Sequence, residues 1–181
     1  MWWIVLIVVV LLVLYFISAY NNLVSLRNRV RDQWSQIDVL LKRRTDLIPN
    51  LVETVKGYAK HESETLEAVI NARNKVVGAT NKADEMAASS ELTNALTHLF
   101  ALSESYPELK ANTNFMDLQN NLKDTEDKIA AARQFYNDTV LTYQNKIEMF
   151  PSSIVAKMFG FKPEEFFKVS EADKELPKVK F

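Results

Sequence analysis

The sequence contains no cysteine, which excludes disulfides, thiolate metal sites, a cysteine nucleophile and a lipid-modified cysteine. Its three glycines, Gly57, Gly78 and Gly160, are too few for tight hairpins or a glycine-rich phosphate loop, and no GxSxG, Walker-type or GxGxxG run occurs. Only two histidines are present, His61 and His98. The di-iron pattern of helical bundles needs Glu-x-x-His twice, and Tyr58 and Ala95 stand where those glutamates belong. His61 and Glu64 share a helical face, where such a pair reads as solvated rather than metal-binding. Tyrosines and carboxylates are plentiful, but on helical stripes they belong to core and surface. The expectation is therefore no enzyme, no catalytic residue, no cofactor and no metal. A net charge of −1, from 22 basic and 23 acidic residues, offers no polycation to grip nucleic acid, and none is expected as a partner.

What is abundant is apolar sequence at the N-terminus. Residues Trp2 to Ile17 are apolar without interruption, and Ser18, Ala19 and Tyr20 extend the uncharged stretch. At about 1.5 Å per residue, residues 1–20 span roughly 30 Å, the hydrocarbon thickness of a bilayer. Trp2, Trp3, Tyr15 and Tyr20 place amphipathic rings towards the two ends, as interfacial anchors do. A retained transmembrane anchor over 1–20 is the expected reading. A cleaved signal peptide is the alternative, since Ile17-Ser18-Ala19 resembles a cleavage site, but the basic n-region is missing. Arg27, Arg29 and Arg31 follow the span and are placed at lipid headgroups. By the positive-inside rule they put the rest of the chain in the cytoplasm and the N-terminus outside, with an exported body as the alternative.

Between Asn21 and Phe150 the only helix breakers are Pro49, Gly57, Gly78 and Pro107. Phe115, Leu118, Leu122, Thr125, Ile129, Ala132, Tyr136, Thr139/Val140, Tyr143, Ile147 and Phe150 recur at three- and four-residue steps. They predict one long amphipathic helix, started by Asn112 or Thr113 and stopped by Pro151. Leu23, Leu26, Val30, Trp34, Ile37, Leu41 and Ile48 give the first body helix, continuous with the anchor. Lys42, Arg43 and Arg44 suit its C-terminus, so a new helix is expected near Leu47 with Pro49 in its first turn. One long helix kinked at Pro49 is the other solution. The predicted fold is all-α: an antiparallel up-and-down bundle over 21–150, with helices at about 21–44, 47–78, 84–106 and 113–150.

After Pro151 the sequence turns aromatic. Residues 151–167 form an expected hook in which Ser152 or Ser153 caps a helix, Gly160 stops it, and Phe159, Phe161, Phe166 and Phe167 pack on the bundle end. Contact with a partner subunit or with the membrane face is the other reading of those rings. Residues 168–181 are charged, without apolar spacing, and are expected to be a mobile tail. Charge is also uneven: eight basic and four acidic residues lie between Asn21 and His61, against fourteen and nineteen from Glu62 onward. Lys42, Arg43 and Arg44 accordingly join the aromatics as a candidate partner surface, with helix capping and simple solvation as the alternatives.

The run QWSQIDVLLKRRTDLIPNLVETVKGYAKHE (33–62), ARN at 72–74, YPELKA at 106–111 and TEDKIAAARQFYNDTVLTYQNKI at 125–147 resemble the LemA family of bacterial membrane proteins. FPSSIVAKMFGFKPEEFF at 150–167 is similar to that family's usual ending. The resemblance implies a single-pass anchor in the bacterial inner membrane and a helical-bundle body, and no particular activity. Some family members carry a lipid-modified cysteine in place of the hydrophobic helix, a pattern from which this chain departs. Links of relatives to the shaping of internal membranes imply a scaffold. The expected function is a self-associating, coiled-coil-like homo-oligomer at the lipid bilayer. An adaptor recruiting another membrane protein, such as a protease or an envelope-stress factor, is the second hypothesis.

Overall fold

The computed structural model describes residues 2–167, so the expected tail at 168–181 lies outside the described residues. Those residues form six helices and no strand: α1 (Trp2–Lys56), α2 (Ser63–Gly78), α3 (Lys82–Ser103), α4 (Pro107–Lys110), α5 (Thr113–Glu148) and α6 (Ser152–Met158). The all-α class is as expected.

α1 is continuous because nothing before Pro49 interrupts it, and its apolar residues keep a seven-residue repeat. Leu23, Val30, Ile37 and Leu51 fall on one line of that repeat, Leu41, Ile48 and Val55 on the second, and all are buried. Arg44 occupies the remaining slot of the first line and is buried as completely as its neighbours.

The expected helix break at 44–47 does not occur; Pro49 lies inside α1. The reason is a tertiary one. Pro49 has no N–H, so the carbonyl of Thr45, one turn earlier, loses its helical donor. Arg73 of α2 supplies the replacement: its Nε donates to the Thr45 oxygen at 3.0 Å. With that acceptor satisfied the helix runs on to Lys56, and the chain turns instead at 57–62, beginning with Gly57, a poor helix former. The second helix therefore starts at Ser63, not at Leu47.

Two compact units divide the chain. One is built on Ile37–Ala131. Here α2 and α3 form an antiparallel pair joined by residues 79–81, and the Asn81 side chain caps α3 by accepting from the Asp84 N–H at 2.9 Å. Leu66, Val69 and Val76 of α2, and Leu92, Leu96 and Leu99 of α3, supply its core with Ile37, Leu41, Ile48, Leu51 and Val55 of α1 and with Phe115, Leu122 and Ile129 of α5. Asn112 caps α5, its Oδ1 accepting from the Phe115 N–H at 2.9 Å.

The other unit comprises Met1–Gln36 and Ala132–Phe166. Tyr136 and Tyr143 of α5 are fully buried, and the Trp34 ring meets Tyr136 edge-on at 5.4 Å. Past α5, Ser152 does not cap α6. Its hydroxyl donates to the Lys146 and Met149 carbonyls, closing the end of α5, while Pro151 takes the position before α6. Gly160 stops α6 as expected: at φ 69° it follows the last residues of the helix, and the Phe161 N–H returns to the Ala156 carbonyl at 2.9 Å. The segment beyond is strapped to α5 by three bonds. The Tyr136 hydroxyl donates to the Glu165 carbonyl (2.9 Å), the Tyr143 hydroxyl to Lys162 (3.0 Å) and Gln144 Nε2 to Glu164 (3.0 Å). Burial pushes the Tyr136 phenol up to about 12, helped by Glu164 and Glu165.

Replacing Arg73 by alanine orphans the Thr45 carbonyl and is expected to cost about 1–2 kcal/mol. In a Pro49→Ala background the new N–H serves that carbonyl, so the same Arg73→Ala change should cost about 1 kcal/mol less. Unfolding midpoints of the four detergent-solubilised proteins measure the coupling, and strictly additive costs would refute the compensation.

Candidate functional site

The apolar N-terminal part of α1 is long and apolar enough to cross a membrane, and it is not buried inside the protein. Trp2 is 89% exposed, and Trp3, Tyr15 and Tyr20 are also exposed, so the four aromatic positions lie open along the helix. In lipid such a segment satisfies its own backbone, and each Leu, Ile, Val or Phe near the centre favours insertion by about 0.5 kcal/mol. This geometry fits a membrane location.

The arginines that follow divide. Arg29 and Arg31 are exposed. Arg27 is half-buried, its guanidinium lying 5.1 Å from the centre of the Phe161 ring, a cation–π contact. Phe161 and Phe159 also meet Tyr20, at 5.9 and 4.7 Å between ring centres. These two members of the expected aromatic hook are therefore brought to the end of the apolar stretch. Phe159 remains half open, Phe166 is half-buried and Phe167 is buried, so Phe167 cannot serve as an open partner surface.

The basic cluster is not one surface. Lys42 and Arg43 are exposed, and Arg43 only approaches Asp124, at 4.0 Å. Arg44 is wholly buried, which removes it from any candidate partner surface. Its Nη1 donates to Glu126 Oε2 at 2.7 Å and to Thr93 Oγ1 at 3.0 Å, while Nη2 donates to Ser89 at Oγ (2.8 Å) and at the carbonyl (3.1 Å). The Thr93 hydroxyl donates to Glu126 Oε1 at 2.8 Å. One guanidinium thus ties α1, α3 and α5 together inside the Ile37–Ala131 unit. Glu126 keeps 30% of its side chain in solvent, so the pair retains part of its hydration and its desolvation cost is limited.

A second polar contact lies between α1 and α3, where Glu85 hydrogen-bonds Asp38. Burial above all, then the Asp38 charge and that bond, push the Glu85 carboxyl up to about 7. A cleft of about 330 Å³ opens beside it, lined by Lys42, Asp46 and Arg73 among others. No group of three or more His, Asp or Glu is placed to hold a metal ion among the described residues.

Fold and site together define an all-helical protein whose N-terminal helix fits a membrane and whose body is tied by a buried arginine. The chain belongs to the LemA family, whose profile matches residues 33–181. It is similar to Protein LemA of Metamycoplasma hominis, 26% identical over 168 residues, covering 90% of this chain and 75% of that one. It is equally similar to magnetosome protein MamQ of Magnetospirillum gryphiswaldense, 26% identical over 177 residues, 83% of this chain and 65% of the relative. Magnetosome protein MamQ 2 of Paramagnetospirillum magneticum matches at 26% over 182 residues, 86% of this chain and 67% of the relative. The chain thus spans three quarters of the first of these relatives and about two thirds of the MamQ proteins.

Adjacent arginines should behave differently on truncation. Arg44→Ala, which strands Glu126 and empties a buried slot, is expected to destabilise the chain by about 3 kcal/mol. Arg43→Ala, which loses only a half-exposed contact, should change stability by less than about 0.5 kcal/mol. Thermal unfolding of the two solubilised variants decides, and equal effects would show that the buried network does not hold the helices.

Proposed function

We propose that the chain is a non-enzymatic scaffold, anchored by residues 1–20 in the bacterial inner membrane, that self-associates in the plane of the bilayer. The observation that carries this reading is the open apolar stretch of α1, which has no covering partner among the described residues. An anchor confines the body to two dimensions and raises its effective concentration, so weak lateral contacts suffice for assembly. Open apolar side chains on the body, Val39 and Val77 in one unit and Phe135 and Leu141 in the other, are available for such contacts. Arg27, Arg29 and Arg31 favour a cytoplasmic body. The magnetosome names of the MamQ relatives support a role in organising a membrane, in keeping with the family resemblance.

Native electrophoresis of the detergent-extracted full chain should give species larger than a monomer, and a chain starting at Asn21 tells whether the body or the anchor holds them. A clean monomer at micromolar concentration would contradict the scaffold. Recovery in cross-linked cells of one dominant foreign protein, lost on Lys42→Glu, would favour the adaptor reading instead.

A further inference from the structure

The corner between α5 and α6 carries apolar side chains that the fold leaves open. Met149, Phe150, Ile154, Met158 and Phe159 are all exposed, Phe150 to 80%. On the other side of the same short helix Val155 and Ala156 are buried, so α6 has an inner face packed on its unit and an outer apolar face that the described residues leave open. Scattered exposed apolar residues are ordinary, but five within eleven residues at one corner are a patch.

The place of this patch identifies what covers it. Met149, Phe150, Pro151 and Ser152 share a cleft of about 330 Å³ with Tyr15, Ser18, Ala19 and Asn22, at the end of the uncharged stretch. Phe159 meets Tyr20 at 4.7 Å. The corner therefore lies alongside the end of the membrane-compatible helix, at the depth where that helix passes from hydrocarbon to headgroups. Exposed Lys146 and Lys157 flank it, and cations beside open apolar side chains match an anionic headgroup layer over acyl chains.

We infer that the α5–α6 corner is a second membrane-contacting element, which lays Met149, Phe150, Ile154, Met158 and Phe159 into the headgroup–acyl boundary of the bilayer that α1 enters. The inference rests on the reading of residues 1–20 as a membrane anchor. With two separate attachments to the bilayer, at α1 and at the α6 corner, the unit that carries both has its tilt and its rotation about α1 fixed relative to the membrane.

The absence of cysteine allows the full chain to be probed at single introduced thiols. Ile154→Cys, Val9→Cys and Asp117→Cys are each labelled with an environment-sensitive fluorophore and reconstituted in vesicles of phosphatidylcholine with phosphatidylglycerol. The Ile154 label should be quenched more by a shallow nitroxide lipid than by a deep one, and be several-fold less accessible to aqueous iodide than the Asp117 label. The Val9 label should answer to the deep nitroxide. A lipid-embedded Val9 label beside an Ile154 label open to iodide overturns the corner contact and leaves the anchor standing. An Ile154 label shielded from iodide yet untouched by either nitroxide means that a second copy covers the corner, and overturns it too. If Val9 itself is open to iodide, the anchor reading fails and the corner contact falls with it.

Discussion

Water solvates the apolar side chains of residues 2–17 poorly, and the described residues leave nearly all of them open. All but the half-buried Phe16 are open along one helix face or another, so the segment is satisfied in its backbone and unsatisfied in its side chains. Burial of a large apolar side chain stabilises by about 2 kcal/mol, and a run of sixteen such residues outweighs the net stability of a typical domain. A bilayer resolves this without any rearrangement of the protein, because an apolar helix with its hydrogen bonds closed is the form lipid accepts. The helix that carries this stretch also carries Arg44, in one unbroken element from Trp2 to Lys56.

Within the Ile37–Ala131 unit the Arg44 network holds the helices in a particular register. An apolar seam tolerates sliding by a turn, whereas the two Nη atoms of Arg44 meet their acceptors on α3 and α5 in one arrangement. Ser89, Thr93 and Glu126 present those acceptors together, and the Arg73 bond goes to the carbonyl of Thr45, the residue after Arg44. The two arginines act at neighbouring points of α1, one on side chains of other helices and one on its own backbone. The Arg73 bond lets a proline sit inside a long helix that also carries a buried charge.

Much of this was legible in the sequence. The seam of α5 came directly from the spacing of its apolar residues, and the positions from Phe115 to Ile147 are buried or half-buried as read, while Phe150 turns outward beside Pro151. The caps at Asn112 and Gly160 follow from residue type alone. The charge of Arg44 suggests a surface, yet the interval from Ile37 to Arg44 to Leu51 is seven and seven, which puts it in the seam. Pro49 departs from its expected place for a different reason. Its tolerance depends on a donor on Arg73, 28 residues after the Thr45 carbonyl it serves, and no local pattern announces a long-range hydrogen bond. The open aromatic corner at α6 was visible as composition, but only the fold shows which rings turn in and which stay out.

Fractionation of cells producing the full chain, with alkaline washing of the membranes and intact-mass measurement, addresses the anchor most directly. The protein should stay in the washed membrane pellet with Trp2 and Trp3 still attached. A mature chain beginning at Tyr20 and released with the soluble proteins would contradict the anchor.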